Sequence, residues 1–200
     1  MPASHDRALE VFRERGGMLR TAEARRSGIH PRVLYALRDE GHVEQVSRGV
    51  FRLASLPPLG DPDLVTVAFR VPRAVVCLVS ALAYHDITTE TPDEVHVALP
   101  PGTAAPRLDD PPLRVFRMSG PSLVEGIEVQ EVDGQPVRIF SVEKTVADCF
   151  KFRSRIGVPA AVEALRLALR DRGADPDTIL DYARICRVHR VMCPYLEALL

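Results

Sequence analysis

The chain has 200 residues, of which 46% are hydrophobic and 26% are charged, and its formal net charge is −1. This length can bury a sizeable core in one or two domains, and the balanced charge does not by itself indicate a nucleic-acid-binding protein. The charge is uneven, however, because residues 1–56 hold ten Arg, no Lys and seven acidic residues. The net charge is therefore about +3 in this part and about −4 in residues 57–200, which is compatible with one end of the protein facing phosphate.

The cysteines and the apolar runs indicate in which compartment of the cell the protein lies. None of the four cysteines forms a CxxC pair, a pattern typical of reduced thiols in a cytoplasm rather than of disulfides. Cys186 and Cys193 with His189 match no common zinc template, so we expect no metal site and no cofactor. The polar N-terminus is no signal peptide, and the longest apolar run, residues 74–84, is too short to span a bilayer. We expect a cytoplasmic protein with no membrane partner.

A proline-rich segment predicts a domain boundary. Residues 54–63 hold three prolines and one glycine, and proline removes backbone donors, so neither a helix nor a central strand runs through them. We therefore predict an N-terminal domain over 1–56, a linker over 57–63 and a second domain over 64–200.

The first domain has the pattern of a winged helix-turn-helix. Thr21 is a good N-cap for a short second helix, Pro31 is favoured at the start of a third helix, and Gly49 lies in a short hairpin turn. The predicted elements are helices over 5–15, 21–28 and 31–40 and strands over 42–46 and 49–53. Helices followed by a hairpin in this order are typical of the winged fold.

The third helix has two different faces. Val33, Leu34 and Leu37 share an apolar face, whereas Arg32 and Tyr35 point the other way. A recognition helix needs one packed face and one free face for the major groove, where Arg can pair with guanine. The predicted DNA-binding residues are Thr21, Arg25, Arg26, Arg32, Tyr35, Arg38 and Arg48. Winged helices also mediate protein contacts, which stays an alternative.

The second domain is predicted to be mixed α+β, with helices gathered at its C-terminal end. Its apolar run over 74–85 predicts a buried helix, and Ser141 predicts the cap of a later helix. The predicted helices cover 64–69, 74–85, 142–153, 158–172, 176–186 and 190–200, and the predicted strands cover 95–99, 114–118, 127–132 and 137–140. The whole chain is therefore an α+β protein with an N-terminal winged helix-turn-helix.

No enzyme motif is present. Gly16-Gly17 is not followed by the paired carboxylates of a nucleotidyltransferase, and Glu143-Lys144 lies on a predicted helix rather than on a nuclease strand. Two polar clusters remain, one around His85 and Asp86 and one around Lys144 and Asp148. Neighbouring residues on one helix do not face each other, so we favour capping and a structural ion pair over catalysis and expect no enzyme.

At these clusters the chain resembles the AbiEi family of antitoxins. The resemblance extends to the winged helix and to the C-terminal residues 195–197, and its motifs lie in an order typical of the family. The segments that carry it are Ser80–His85, Thr88-Thr89, Pro92, Val95–Ala98, Arg138–Asp148 and Val158–Leu169.

The resemblance implies an antitoxin of a type IV toxin–antitoxin system. The winged helix would repress the operon by binding double-stranded DNA at repeats in its own promoter. The second domain would counter a nucleotidyltransferase-like toxin from the same operon, with or without direct contact. By resemblance, His85, Thr88, Thr89, Lys144 and Asp148 are candidates for a surface that serves antitoxicity.

Two other hypotheses stay open. The chain could be a winged-helix transcription factor whose second domain senses a ligand or a protein and that has no toxin partner. It could also be an enzyme with an unfamiliar site around His85 or Glu143.

Overall fold

The computed structural model describes residues 2–108 and 110–200. The chain divides into two compact units, the first comprising Met1–Thr66 with Val132–Gly134 and the second comprising Val67–Glu131 with Gln135–Leu200. No described helix has the length and apolar character that crossing a membrane requires.

The N-terminal unit is a helix-turn-helix followed by a small sheet. Its elements are α1 (Pro2–Glu14), β1 (Met18–Arg20), α2 (Thr21–Arg26), α3 (Pro31–Asp39), β2 (Val43–Ser47) and β3 (Val50–Leu53). The sheet has the order β1-β3-β2, and both pairings are antiparallel. The predicted winged helix-turn-helix is confirmed.

The core of this unit is filled by the apolar stripes that the sequence shows. Phe12 of α1, Leu34 and Leu37 of α3 and Phe51 of β3 are all buried. Helix α3 contacts α1, α2 and β2. Leu34 and Leu37 lie on the packed side of α3, whereas Arg32, Tyr35 and Arg38 are exposed on its other side.

Two details of the N-terminal unit differ from the prediction. The sequence did not predict β1, whose Leu19 lies opposite Phe51 of β3, because three residues are too few for a period-two pattern. Thr21 is not the N-cap of α2, since Arg20 holds that position and its backbone N–H donates to Glu23 at 3.0 Å. The added strand sets the start of α2 at the edge of the sheet.

The C-terminal unit contains a mixed five-stranded sheet and a helical group. Strand β4 pairs with β5 antiparallel and with β8 parallel, and β5 pairs with β6 parallel. The sheet order is β6-β5-β4-β8-β7. The strands are β4 (Val75–Val76), β5 (Val95–Leu99), β6 (Leu113–Arg117), β7 (Ile127–Val132) and β8 (Gln135–Phe140).

The helices of this part of the chain lie mostly after the sheet, as predicted. They are α4 (Pro62–Arg70), α5 (Leu78–Tyr84), α6 (Pro121–Val124), α7 (Val142–Lys151), α8 (Arg153–Ile156), α9 (Val158–Arg172), α10 (Pro176–Ile185) and α11 (His189–Glu197). Helix α7 is central, because it contacts α5, α8, α9, α10 and α11. The predicted α+β class with C-terminal helices is confirmed.

The single helix predicted over 74–85 is wrong. Val75 and Val76 form β4, and Cys77 is the N-cap of a shorter helix that begins at Leu78. All of these residues are buried. A fully apolar run fits a buried strand as well as a buried helix, so its periodicity could not separate the two. The short helices α6 and α8 were also missed.

Candidate nucleic-acid interface

Helices α2 and α3 form the helix-turn-helix. Gly28 in the connecting turn has a φ of +81°, which glycine adopts without strain, and Ile29 beside it is buried in the core. His30 is the N-cap of α3, where its Nδ1 accepts the backbone N–H of Arg32 at 3.2 Å. This cap, together with Pro31 at the first helical position, fixes where the recognition helix begins.

The outer face of α3 presents Arg32 and Tyr35 near its N-terminus and Arg38 one turn further on. Arg32 is exposed, and Tyr35 keeps 45% of its surface accessible. The Tyr35 ring packs edge-on against Phe51 of the sheet, with 5.9 Å between ring centroids. Tyr35 is therefore exposed and at the same time held in place by the buried ring beneath it.

Arg38, also predicted to bind DNA, is occupied within the protein. Its guanidinium donates to the Asp39 carboxylate from Nε at 2.9 Å and from Nη2 at 2.7 Å. It also donates to Gln45 of β2 at 3.4 Å and lies 5.1 Å from the centre of the Tyr35 ring. Asp39 offsets its charge, so Arg38 links α3 to the wing and orients Tyr35.

The other candidates lie around α2 and the turn between β2 and β3. Arg25 and Arg26 are exposed on α2, and the Arg26 Nε donates to the carbonyl of Ala22 at 3.3 Å. The Thr21 hydroxyl donates to the carbonyl of Gly49 at 3.4 Å, so it ties α2 to the wing turn. Arg48 is exposed in that turn. Within the described chain, the side chains of Arg25 and Arg32 have no acidic partner.

The five residues suggested for antitoxicity do not form one surface. His85 is half-buried, and its Nε2 lies 2.8 Å from the carbonyl oxygen of Phe140. The Thr88 hydroxyl accepts from the backbone N–H of Glu90 at 3.1 Å, which shapes the loop. Thr89 is exposed, and its hydroxyl donates to Glu163 of α9 at 3.2 Å.

The expectation that Lys144 and Asp148 lie on a surface is wrong, because both side chains are completely buried. The Lys144 Nζ lies 2.5 Å from one Asp148 oxygen, and the Cys186 thiol donates to the other at 3.1 Å. Burial raises the pKa of Asp148, while Lys144 and the Cys186 hydrogen bond oppose that rise. The pair lies inside the helical group around α7 and is not accessible to a partner.

The groups considered for catalysis have other partners. Asp86 pairs with Arg172 of α9 at 2.6 Å, whereas His85 faces the Phe140 carbonyl, so the two do not act on each other. Among residues 2–108 and 110–200, no group of three or more His, Cys, Asp or Glu is placed to hold a metal ion. Cys193 contacts His189 at 3.4 Å, and Cys186 is buried beside Asp148.

Sequence reasoning placed Asp39 on the outer face of α3 but missed its pairing with Arg38, and it missed Gln45 and His30 altogether. Asp39 and Gln45 bind Arg38, and His30 caps α3. The signal for His30 was present, since a polar residue before a proline at a helix start is a usual cap. The pairing of Arg38 across to β2 depends on tertiary contact and left no local signal.

The exposed face of α3, braced by a three-stranded antiparallel sheet, defines the N-terminal unit as a winged helix-turn-helix domain. Residues 6–54 match the model of a family described as "Transcriptional regulator, AbiEi antitoxin". The resemblance predicted from the sequence is thus confirmed for this N-terminal region, which is similar to transcriptional regulators of the AbiEi antitoxin family.

The whole chain is similar in fold to a solved structure, the RV2827C protein from Mycobacterium tuberculosis, with a TM-score of 0.60 and 15% sequence identity. The superposition covers 100% of this chain and 81% of that chain. At this identity the likeness concerns the α+β fold. No curated protein is significantly similar to the chain.

Proposed function

We propose that the protein represses its own operon by binding repeats in its promoter through α3 and the wing. The observation that carries this proposal is the outer face of α3, where Arg32 and Tyr35 are exposed while Leu34 and Leu37 on the opposite side are buried. In winged and other helix-turn-helix domains, residues near the N-terminus of this helix reach base edges in the major groove. The family match over residues 6–54 supports the same role.

Each arginine has a different role in this proposal. Arg32, which has no acidic partner within the described chain, would pair with a guanine edge. Arg25 and Arg26 on α2 and Arg48 in the wing turn would contact phosphates, which fix the register of the protein on DNA. Arg38 would orient Tyr35 instead of reading a base, because Asp39 already takes up its donors.

The C-terminal unit would counter a nucleotidyltransferase-like toxin encoded in the same operon, with or without direct contact. This part of the proposal rests on the resemblance to AbiEi antitoxins. Of the residues it implies, His85, Thr88 and Thr89 are reachable from solvent. Lys144 and Asp148 would support that region from inside, because both are buried.

Binding of the purified protein to labelled DNA from its own upstream region, against a scrambled duplex, tests the repressor role. Fluorescence anisotropy at two salt concentrations should show a preference of about 10³-fold or more, the range typical of operator binding. Equal, weak binding that disappears with salt would mean phosphate attraction alone. The winged helix would then serve protein contacts, and the proposal would be wrong.

Three single variants separate base reading from phosphate contact. Arg32→Ala should lower operator affinity by about 1–3 kcal/mol and relax sequence preference. Arg48→Ala should weaken both duplexes alike and reduce the salt slope by about 0.9. Arg7→Ala, on α1 and paired with Glu10, is the charge-matched control and should change neither. Unchanged affinity in the first two variants contradicts the placement of the interface.

Antitoxicity is tested by co-expression with the neighbouring gene. A nucleotidyltransferase reading frame that stops growth alone, and not together with this chain, supports the antitoxin role. The triple variant His85→Ala, Thr88→Ala and Thr89→Ala should then lose protection while retaining operator binding. If the neighbouring gene is not toxic, or if protection does not depend on this chain, the antitoxin role is wrong. The protein would then be a transcription factor without a toxin partner.

A further inference from the structure

A small cavity in the C-terminal unit begins beside the Thr88–Thr89 loop, and neither residue lines it. Its volume is about 240 Å³, and it is formed by the loop before β5, by β5 and β6, and by α8. Drug-sized ligands occupy pockets of about 300–1,000 Å³. This cavity therefore suits a molecule of the size of a single amino acid.

Unpaired charges of both signs line this cavity. Glu90 and Asp93 contribute carboxylates from the loop, and Arg155 contributes a guanidinium from α8. Within the described chain none of these three takes part in an ion pair. The neighbouring Glu94, by contrast, is already bound to Arg114 at 3.3 Å. Opposite charges that share a cavity without meeting each other can both be satisfied by a ligand that carries two charges.

The guanidinium of Arg155 is positioned in advance of any ligand. It lies 5.7 Å from the centre of the Phe116 ring and 5.8 Å from that of Phe152. Cation–π contacts of this kind hold the flat group and leave its N–H donors free. Since less side-chain entropy is lost when a carboxylate binds to a group already held, this arrangement favours binding.

His96 lines the cavity as a neutral ring. The residue is only 5% exposed, and its Nδ1 is buried inside the protein, where it makes no hydrogen bond within the described chain. Burial lowers the pKa of His96, so its ring is neutral near pH 7. Its Nε2 faces Glu94 at 3.7 Å, which favours the proton on that nitrogen and leaves Nδ1 as an acceptor. A neutral ring adds no positive charge to the cavity, so His96 does not repel a cationic group there.

The remaining wall is apolar. Val79, Pro92 and Ile156 line the cavity beside the charged groups, and Val79 is buried while the other two are half-buried. They would pack against a short aliphatic chain. The apolar wall therefore suits the aliphatic end of a ligand, and the charged groups suit its charged end.

We propose that this cavity binds a small zwitterion of the aliphatic amino-acid type. Its carboxylate contacts Arg155, its ammonium group donates to Glu90 and Asp93, and its side chain packs on Val79 and Ile156. The site goes beyond DNA binding and antitoxicity, because it gives the C-terminal unit a ligand that neither function supplies.

The test uses L-leucine and two analogues that each lack one charge. Isothermal titration calorimetry on the full chain should show saturable binding of L-leucine. It should show binding at least about tenfold weaker for 4-methylpentanoate, which has no ammonium group, and for 3-methylbutylamine, which has no carboxylate. Absence of leucine binding overturns the proposal. Equal binding of either analogue also overturns it, because the site would then recognise a single charge.

Variants of the residues that line the cavity test whether leucine binds there. Arg155→Gln and Glu90→Gln should each weaken leucine binding by about tenfold or more. The control Arg166→Gln lies on the exposed face of α9 outside the cavity and should bind as the parent does. Thermal unfolding of each variant verifies the fold. Leucine affinity that is unchanged in both cavity variants places the binding elsewhere and contradicts the proposal. None of these readouts involves DNA, so a failed operator experiment leaves this test intact.

Discussion

Helices α3 and α7 carry similar side chains and use them in opposite ways. Arg32 and Arg38 of α3 lie on the solvent side of their helix, with Tyr35 between them. In α7, Lys144 and Asp148 are separated by one helical turn and are completely buried. Both helices have an amphipathic sequence and a polar N-cap, His30 in α3 and Ser141 in α7.

The neighbours of each helix explain the difference. Helix α3 is covered on one side by α1, α2 and β2, whereas α7 is surrounded by α5, α8, α9, α10 and α11. The polar face of α7 therefore lies inside, where a charge requires a partner. The charged face on α3 therefore stays exposed to solvent, while the one on α7 fixes how the helices pack.

The largest expected effect is the loss of a buried counterion. Asp148→Ala leaves Lys144 charged and buried without a partner, and we expect the free energy of unfolding to fall by about 3–5 kcal/mol. Urea denaturation followed by circular dichroism measures this. The double variant Lys144→Met, Asp148→Leu should recover most of the loss, because apolar replacement of a whole buried pair is often neutral. A double variant no better than the single one would argue against the pair as the cause.

Alanine substitutions at two adjacent residues of α3 should affect different properties, stability in one case and DNA binding in the other. Leu34→Ala removes a fully buried side chain and should lower the free energy of unfolding by about 2–5 kcal/mol. Tyr35→Ala should change it much less, because the ring is 45% exposed, and should instead weaken operator binding. Denaturation and anisotropy on the same two proteins check this. Equal stability losses would mean that Tyr35 belongs to the core.

Gly126 tests how tightly the chain packs against the buried Lys144 of α7. Its φ is +73°, and an added Cβ would lie 2.7 Å from the Lys144 Cβ and 3.0 Å from the Tyr182 Cζ. Gly102 has a similar φ of +78° with open space around it, so Gly102→Ala reports backbone strain alone. Gly126→Ala should be less stable than Gly102→Ala by a further 1–3 kcal/mol or so, from overpacking against the buried lysine. Equal losses of unfolding free energy in urea denaturation would show that the Lys144 side chain moves to accommodate the added Cβ.

The smallest expected effect concerns the Arg38–Asp39 pair on α3. Asp39→Asn removes a negative charge from the proposed DNA face and releases the Arg38 guanidinium. Operator affinity should rise a few-fold, and the salt slope should steepen by up to about 0.9 if Arg38 gains a phosphate. Asp6→Asn on α1 is the matched charge control in the same anisotropy assay. A lower affinity in Asp39→Asn would show that the positioning of Arg38 outweighs its charge.

Much of the architecture was predictable from local signals. Strands β5 and β7 and helix α9 follow their predicted bounds, because periodic segments with clear Pro or Gly limits leave little choice. Helix α3 was also predictable from Pro31 and its apolar stripe. Strand β4 was not, because an entirely apolar segment carries no period.

The sites were less predictable than the elements. The outer face of α3 follows from its pattern, but the pairing of Arg38 with Gln45 depends on the sheet lying beside the helix. The burial of Lys144 depends on the packing around α7 of helices that come before it in the chain, as α5 does, and after it, as α8 to α11 do. Likewise, Arg155 and His96 line one cavity only after α8 packs beside β5. Such convergence has no local signature in the sequence.

The parallel pairing of β4 with β8 has a consequence for synthesis on the ribosome. Val76 lies opposite Ile139, so this sheet stays open until the intervening chain has been translated and has left the exit tunnel. The β1–β3 pairing closes much earlier, since Met18 lies opposite Arg52. Pairings between distant residues form slowly and leave apolar strands exposed in the meantime. A nascent chain stalled before residue 139 would thus leave one edge of β4 unpaired and open to chaperones, while the small sheet of the N-terminal unit is already complete.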